Sequence, residues 1–180
     1  GVSSITVDEL AAKKWNVLAE DLPLPLAILK QSALQSNAAW MKRFSGLTGV
    51  DICPHGKTTM GPQLFDQQLL DGAWGVTVAT IAQLKVAREF GVSRVMMANQ
   101  LIGKQAIEYV YQELDAHPDF EFYCLVDSVD HVNQLAVVGK QYQSSLQVLV
   151  EMGYANGRCG CRDEQTAMAV ATAVRDAGSS

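Results

Sequence analysis

The sequence predicts an α/β chain with a parallel sheet covered by helices, on three observations. Short apolar runs alternate several times with longer stretches whose apolar residues fall at helical spacing. The runs, such as Val76-Thr-Val78, Val95-Met-Met-Ala98 and Val148-Leu-Val150, are nearly continuous in apolar residues, as strands buried on both faces read. The punctuation is regular: Gly46, Gly72, Gly91 and Pro118 stand where helices should stop, and Thr80, Ser128 and Asp163 where capped helices should start. An α/β barrel or a doubly wound sheet follows.

Taken in order, residues 7–20 read as an amphipathic helix and 25–29 as a first strand. A helix over 32–45 ends at Gly46, a strand covers 50–53, and a helix over 62–71 ends at Gly72. The strand 75–79 leads through Thr80 into a helix over 81–90 that Gly91 stops. The strand 94–98 precedes a helix over 104–116, closed by Pro118. The strand 120–126 enters a helix over 129–141 through Ser128, and the strand 146–152 precedes a helix over 164–176 entered at Asp163. A closed barrel of eight βα units takes about 250 residues, whereas this chain has 180 and ends directly after a helix. It therefore reads as the N-terminal part of a larger protein.

Composition excludes several function classes. With 48% hydrophobic and 18% charged residues the chain is no disordered tail. A net charge of −5, with no basic block longer than Lys13-Lys14, argues against nucleic acid as a partner. No apolar run approaches the roughly 20 residues that span a bilayer, and no signal-peptide pattern opens the chain, so the expectation is a soluble, cytoplasmic protein. The four cysteines, Cys53, Cys124, Cys159 and Cys161, lack zinc-site spacing and read as reduced thiols.

The chemistry concentrates in Asp51-Ile-Cys-Pro-His-Gly-Lys-Thr-Thr-Met60, at the C-terminal end of a predicted strand, which in barrels is the active-site face. A lysine held there among apolar residues can become a nucleophilic amine, making Lys57 the candidate; the plain alternative is a surface lysine in a loop. A phosphate-cradling loop would need glycine at position 51, which is Asp51, and Pro54 would remove a donor from the cradle. His55, two residues before Lys57, should face the same side of an extended segment.

Cys53-Pro-His-Gly-Lys-Thr58 resembles the lysine motif of the D-threonine aldolase and D-serine dehydratase family, fold-type III enzymes that use pyridoxal 5'-phosphate. Further segments are similar to that family in the same order: Gly72-Ala-Trp-Gly-Val-Thr-Val-Ala-Thr-Ile-Ala-Gln83, Val95-Met-Met-Ala-Asn-Gln100, Leu125-Val-Asp-Ser128 and Val150-Glu-Met-Gly-Tyr-Ala-Asn-Gly-Arg-Cys-Gly160. The wording PHGKTTM resembles the branch of amino acid deaminases most.

The resemblance implies a (β/α)8 TIM-type barrel of the alanine racemase N-terminal type, present here with about five of its eight strands. Residues 1–23 would be an N-terminal helical segment and 24–180 the first part of the barrel, with the remaining strands and a C-terminal β-domain beyond this chain. Residues 25–29 would join the sheet of that β-domain. It implies a lyase for D-amino acids bearing a β-hydroxyl, of the D-serine deaminase or D-threonine aldolase type, working as a homodimer at full length. Lys57 would form the Schiff base with the cofactor and Arg158 would approach its phenolic oxygen, a role suited to a permanently charged guanidinium. His55 and Asn99 would contact the cofactor, and Thr58, Thr80, Gln83 and Asp127 occupy comparable strand ends. A divalent metal, zinc or manganese, would be held by residues outside this chain. A racemase of the same fold, or a protein that binds pyridoxal phosphate without turnover, are the rival readings. His117 and His131 should be solvated, while Met96, Met97 and Trp74 should serve packing.

Overall fold

Capped helices between apolar runs return each strand to the same starting edge, and the result in the computed structural model is a four-stranded parallel sheet in the order β1–β2–β3–β4. The structure describes residues 4–178. The strands are β1 (Val76–Val78), β2 (Arg94–Gln100), β3 (Glu121–Val126) and β4 (Gln147–Val150). Seven α-helices accompany them: α1 (Val7–Leu10), α2 (Gln31–Thr48), α3 (Pro62–Leu70), α4 (Ile81–Glu89), α5 (Lys104–Ala116), α6 (Val129–Gly139) and α7 (Glu164–Gly178). By density of contacts the chain falls into two units, Gly1–Ala38 and Ala39–Ser180.

In the first unit the expected helix over 7–20 is broken. Only α1 is α-helical; short 3₁₀ turns follow at Ala11–Lys13 and Val17–Ala19, separated by Lys14 at φ 52 and ended by Glu20 at φ 58. Asn16 explains the break: its side chain accepts from Leu18 N at 2.9 Å while its own N–H donates to Asp21 at 2.8 Å, local bonds that compete with the helical ladder. Residues 25–29 form no strand either. Pro25 cannot donate to a ladder, and Leu26, Ile28 and Leu29 are exposed.

The second unit holds the sheet, and its elements follow the sequence closely. Thr80 accepts from Gln83 N, Ser128 from His131 N, and Asp163 from Thr166 N, so the three expected helix starts are capped. Gly46 does not end its helix; α2 runs through it and stops before Gly49. The expected strand at 50–53 has no regular ladder. Instead the chain touches β1 slightly later, where Trp74 N donates to Ile52 O, Thr77 N to Pro54 O and Gly56 N to Thr77 O, each at 2.8 Å. Pro54 lacks the N–H that a continuous ladder would use.

The strands alternate more than their apolar runs suggested. Val95 and Met97 of β2, and Phe122, Cys124 and Val126 of β3, are buried in the helix-covered core, whereas Arg94, Met96, Glu121 and Tyr123 are only partly buried. Arg88 of α4 ties the layers: it meets Glu113 of α5 at 2.9 Å, donates to Val92 O at 2.8 Å and lies 4.0 Å above the Phe120 ring. His131 is not solvated as expected but buried at 7% exposure, its Nε2 2.9 Å from Leu101 O, joining α6 to the chain leaving β2. His117 is exposed. At the N-terminal edge, Arg94 bridges Glu121, reaches Trp74 O at 3.1 Å and lies over the Trp74 ring, which also packs on Tyr123. Met97 is core. No helix among the described residues is long and apolar enough to cross a membrane.

Two expectations test this packing. Phe122, 1% exposed, anchors β3 under the helices, so Phe122→Ala should destabilise the unit by about 3–5 kcal/mol, read from urea midpoints; a loss below about 1 kcal/mol would contradict the packing. Glu121 is held below the usual carboxylate range first by its hydrogen bond from Arg94. Its stabilisation should be complete above the ordinary value near about 4.3 and fade as pH falls through the lowered one, so the advantage of wild type over Glu121→Gln should shrink between pH 7 and pH 3.

Candidate functional site

The lysine segment is locked from both sides of Gly56. His55 bridges Thr77 in parallel, Thr77 Oγ1 donates to Cys53 O at 2.8 Å, and Met60 N closes the following turn on Gly56 O at 2.9 Å. Gly56 is buried, and a Cβ there would stand 2.6 Å from Phe65 Cε1 and 2.8 Å from Val76 Cγ1, so only glycine fits. Its neighbours His55 and Lys57 are both exposed. His55 stands in the bridge to Thr77 whereas Lys57 begins the turn that follows, so the extended segment that their spacing assumed ends before the lysine.

Gln83 of α4 fixes where Lys57 begins. Its Oε1 accepts from Ala79 N at 2.8 Å and its Nε2 donates to Lys57 O at 3.5 Å, so one amide spans the end of β1 and the lysine turn. This places Lys57 at the C-terminal edge of the sheet.

The same edge of β2 is irregular. Met97 pairs with Cys124 and Gln100 with the very next β3 residue, Leu125, so Ala98 and Asn99 have no partners on β3. Such a bulge re-aims what it carries. Asn99 Nδ2 donates across to Ala79 O at 3.2 Å, joining β2 to the end of β1. Ala98 O accepts from Arg158 at 3.3 Å, so Arg158, exposed on the loop after β4, is drawn back to β2. All four residues expected at a site, His55, Lys57, Asn99 and Arg158, thus lie at the C-terminal edge of β1 and β2.

A network sits beside them that joins Asp127, a strand-end candidate in the sequence, to Gln100 and Glu151, which the sequence did not single out as site residues. Gln100 Nε2 donates to Asp127 Oδ2 at 3.1 Å and to Glu151 Oε2 at 3.3 Å, and Asp127 Oδ2 also accepts from Gly160 N at 2.9 Å. The only sequence signal was position, since Gln100, Asp127 and Glu151 each follow or end an apolar run. Cys53 and Cys159 are half-buried and Cys124 and Cys161 are buried. Burial pushes Cys124 up to about 12 and also raises Cys53, so neither supplies a thiolate. Thr58 is exposed. Among the described residues, no group of three or more His, Cys, Asp or Glu side chains is arranged to hold a metal ion.

The arrangement offers one primary amine on a rigid turn and one guanidinium on a neighbouring loop, both anchored to the ends of β1 and β2. An amine of this kind can bond reversibly to an aldehyde and a guanidinium can hold an oxyanion, so the donor set suits an aldehyde-bearing, anionic cofactor.

Known proteins carry this fold. The sequence profile described as "Alanine racemase, N-terminal domain" matches residues 29–179. A D-threonine aldolase of Arthrobacter sp is 23% identical over 152 residues, covering 84% of this chain and 39% of the relative. A D-threo-3-hydroxyaspartate dehydratase of Delftia sp. (strain HT23) is 24% identical over 163 residues, covering 87% of this chain and 41% of the relative. The crystal structure of D-threonine aldolase from Filomicrobium marinum superposes with a TM-score of 0.79 at 24% identity, over 86% of this chain and 41% of that one. The chain thus spans about two fifths of the length of the curated relatives it matches.

Gly56→Ala tests the lysine turn. The added methyl must displace Phe65 or Val76, so it should cost about 1–3 kcal/mol by overpacking. A neutral result in a urea melt would show that the turn is looser than described.

Proposed function

The chain belongs to the alanine racemase N-terminal domain family, and from that membership we propose that it forms part of a lyase that uses pyridoxal 5'-phosphate to act on D-amino acids with a hydroxyl on Cβ. The observation that supports the reading is that Lys57, on the turn that follows the buried Gly56 and whose carbonyl accepts from Gln83, and Arg158, which donates to Ala98 O, are tied to neighbouring strand ends. The relatives support the substrate class, since threonine and 3-hydroxyaspartate both carry a hydroxyl at Cβ.

Lys57, His55, Asn99 and Arg158 would hold the cofactor. When bound, the cofactor supplies an electron-withdrawing ring that weakens the bonds at the substrate Cα. Lys57 would hold the cofactor through its Nζ amine and, when free, would be the base of the site, suited to take a proton from the substrate Cα in a dehydratase or from the β-hydroxyl in an aldolase. Arg158 would face the cofactor's phenolic oxygen, where a permanently charged guanidinium would favour the ionised form better than a neutral side chain. His55, exposed near Lys57, would contact the ring, and Asn99 keeps the ends of β1 and β2 together through Ala79 O.

The protein at its natural length should show a visible absorbance band with pyridoxal phosphate, and borohydride reduction should fix the cofactor to the peptide bearing Lys57. Lys57→Ala should abolish the trapped peptide and lower turnover by about a hundred- to ten-thousandfold. Assays with D-serine, D-threonine and D-3-hydroxyaspartate then assign the reaction. A protein that neither absorbs nor traps the cofactor would end this reading.

A further inference from the structure

We propose that Asp127 is the positioning residue for Arg158, acting through the backbone of Gly160; this rests on the reading of Arg158 as a cofactor contact. Arg158 lies on an exposed loop and reaches Ala98 O at only 3.3 Å. A long flexible side chain on an unsupported loop samples many rotamers, so a useful guanidinium needs the loop beneath it to be ordered.

The structure shows that order being imposed at the base. Met152 bridges Cys161, Gly153 N donates to Cys161 O at 2.8 Å, and Cys161 N returns to Glu151 O at 2.7 Å. The loop is thereby closed into a ring of backbone, braced inside by Arg162, whose guanidinium donates to Tyr154 O and Gly157 O. Gly160, at φ +96, packs so tightly that a Cβ would stand 2.5 Å from Gly153 N.

Two links then join this ring to the end of β2. One is Arg158 to Ala98 O; the other runs from Gly160 N to Asp127 Oδ2, and from that same oxygen to Gln100 Nε2. Ala98 lies in the bulge and Gln100 directly after it, so the Asp127 link holds the ring against β2 two residues from the carbonyl that receives Arg158. Both bonds fall on Asp127 Oδ2, so this oxygen links the base of the Arg158 loop to β2, the arrangement a positioning role requires. Glu151, which shares the Gln100 amide at 3.3 Å, supports the second link from β4.

The test compares wild type, Asp127→Ala, Asp127→Asn, Arg158→Ala and the double variant Asp127→Ala/Arg158→Ala at natural length. Asp127→Ala should still trap pyridoxal phosphate on Lys57 but bind it roughly tenfold more weakly, with the absorbance band shifted as in Arg158→Ala, and the double variant should be no worse than Arg158→Ala alone. Asp127→Asn keeps an acceptor oxygen for Gly160 N and should restore most of the affinity. Without cofactor, trypsin should cut after Arg158 about tenfold faster in Asp127→Ala, a readout independent of turnover. Should Asp127→Ala not fold, Gln100→Ala removes the shared amide and should give the same pattern. Losses that add in the double variant, or unchanged affinity, spectrum and proteolysis, would overturn the assignment. A wild type that traps no cofactor overturns the function itself, and a trapping wild type with a silent Asp127→Ala overturns only this step.

Discussion

Parallel pairing obliges every connection to climb back across the full height of the sheet, and the rest of this structure is arranged around that requirement. Helices α4, α5 and α6 make the return journeys between the four strands. Because each strand runs the same way, every strand end opens on one edge, and every chain segment leaving a strand begins there. Residues as distant in sequence as Lys57, Asn99 and Arg158 are gathered by topology alone, with no long-range motif needed to bring them together. The opposite edge is occupied by the Arg94–Glu121 ion pair, with Arg94 over the Trp74 ring and Tyr123 tilted against that ring; in barrels that edge serves stability.

Much of this was legible in the sequence because it is encoded locally. A hydroxyl or carboxylate before an amphipathic run announced α4, α6 and α7, and the structure shows Thr80, Ser128 and Asp163 accepting the expected backbone N–H groups. Failures came where a local competitor overrode the period. Asn16 captures backbone donors that a helix over 7–20 would need, and Pro54 withholds one that a strand at 50–53 would need. The partial burial of Arg94, Met96 and Tyr123 was hidden by residue type, since apolar and aromatic side chains occupy both faces of these strands and mask the alternation. His131 misled for a similar reason: a histidine near a helix start reads as solvated, but a carbonyl from another element, Leu101 O, makes its burial tolerable.

The candidate site was readable as residues and unreadable as a framework. Lys57 and Arg158 stand out by chemistry, while the groups that hold them are amides and carboxylates of ordinary appearance. Gln83 joins Ala79 and Lys57 by accepting through its oxygen and donating through its nitrogen, and Gln100 joins two carboxylates by donating to both from Nε2. A primary amide carries both donor and acceptor functions, which suits it to span strand ends whose spare groups alternate between N–H and C=O. Such roles depend on register, and register is not written in any short stretch of sequence.

The bulge in β2 adds two residues, and the evenness of that number has its own consequence. Side chains alternate across a strand, so an insertion of one would have turned every later residue to the opposite face. With Ala98 and Asn99 added as a pair, Gln100 still falls opposite Leu125 and keeps the side it would hold in an unbroken ladder. The extra pair is taken up between two adjacent rungs of the ladder, so the strand keeps its order of in and out. Variation in length at this strand end is therefore quantised: steps of two preserve the amide that reaches Asp127 and Glu151, while a single added or deleted residue would send it into the helix layer, where Leu84, Ile107 and Val110 have nothing to offer it.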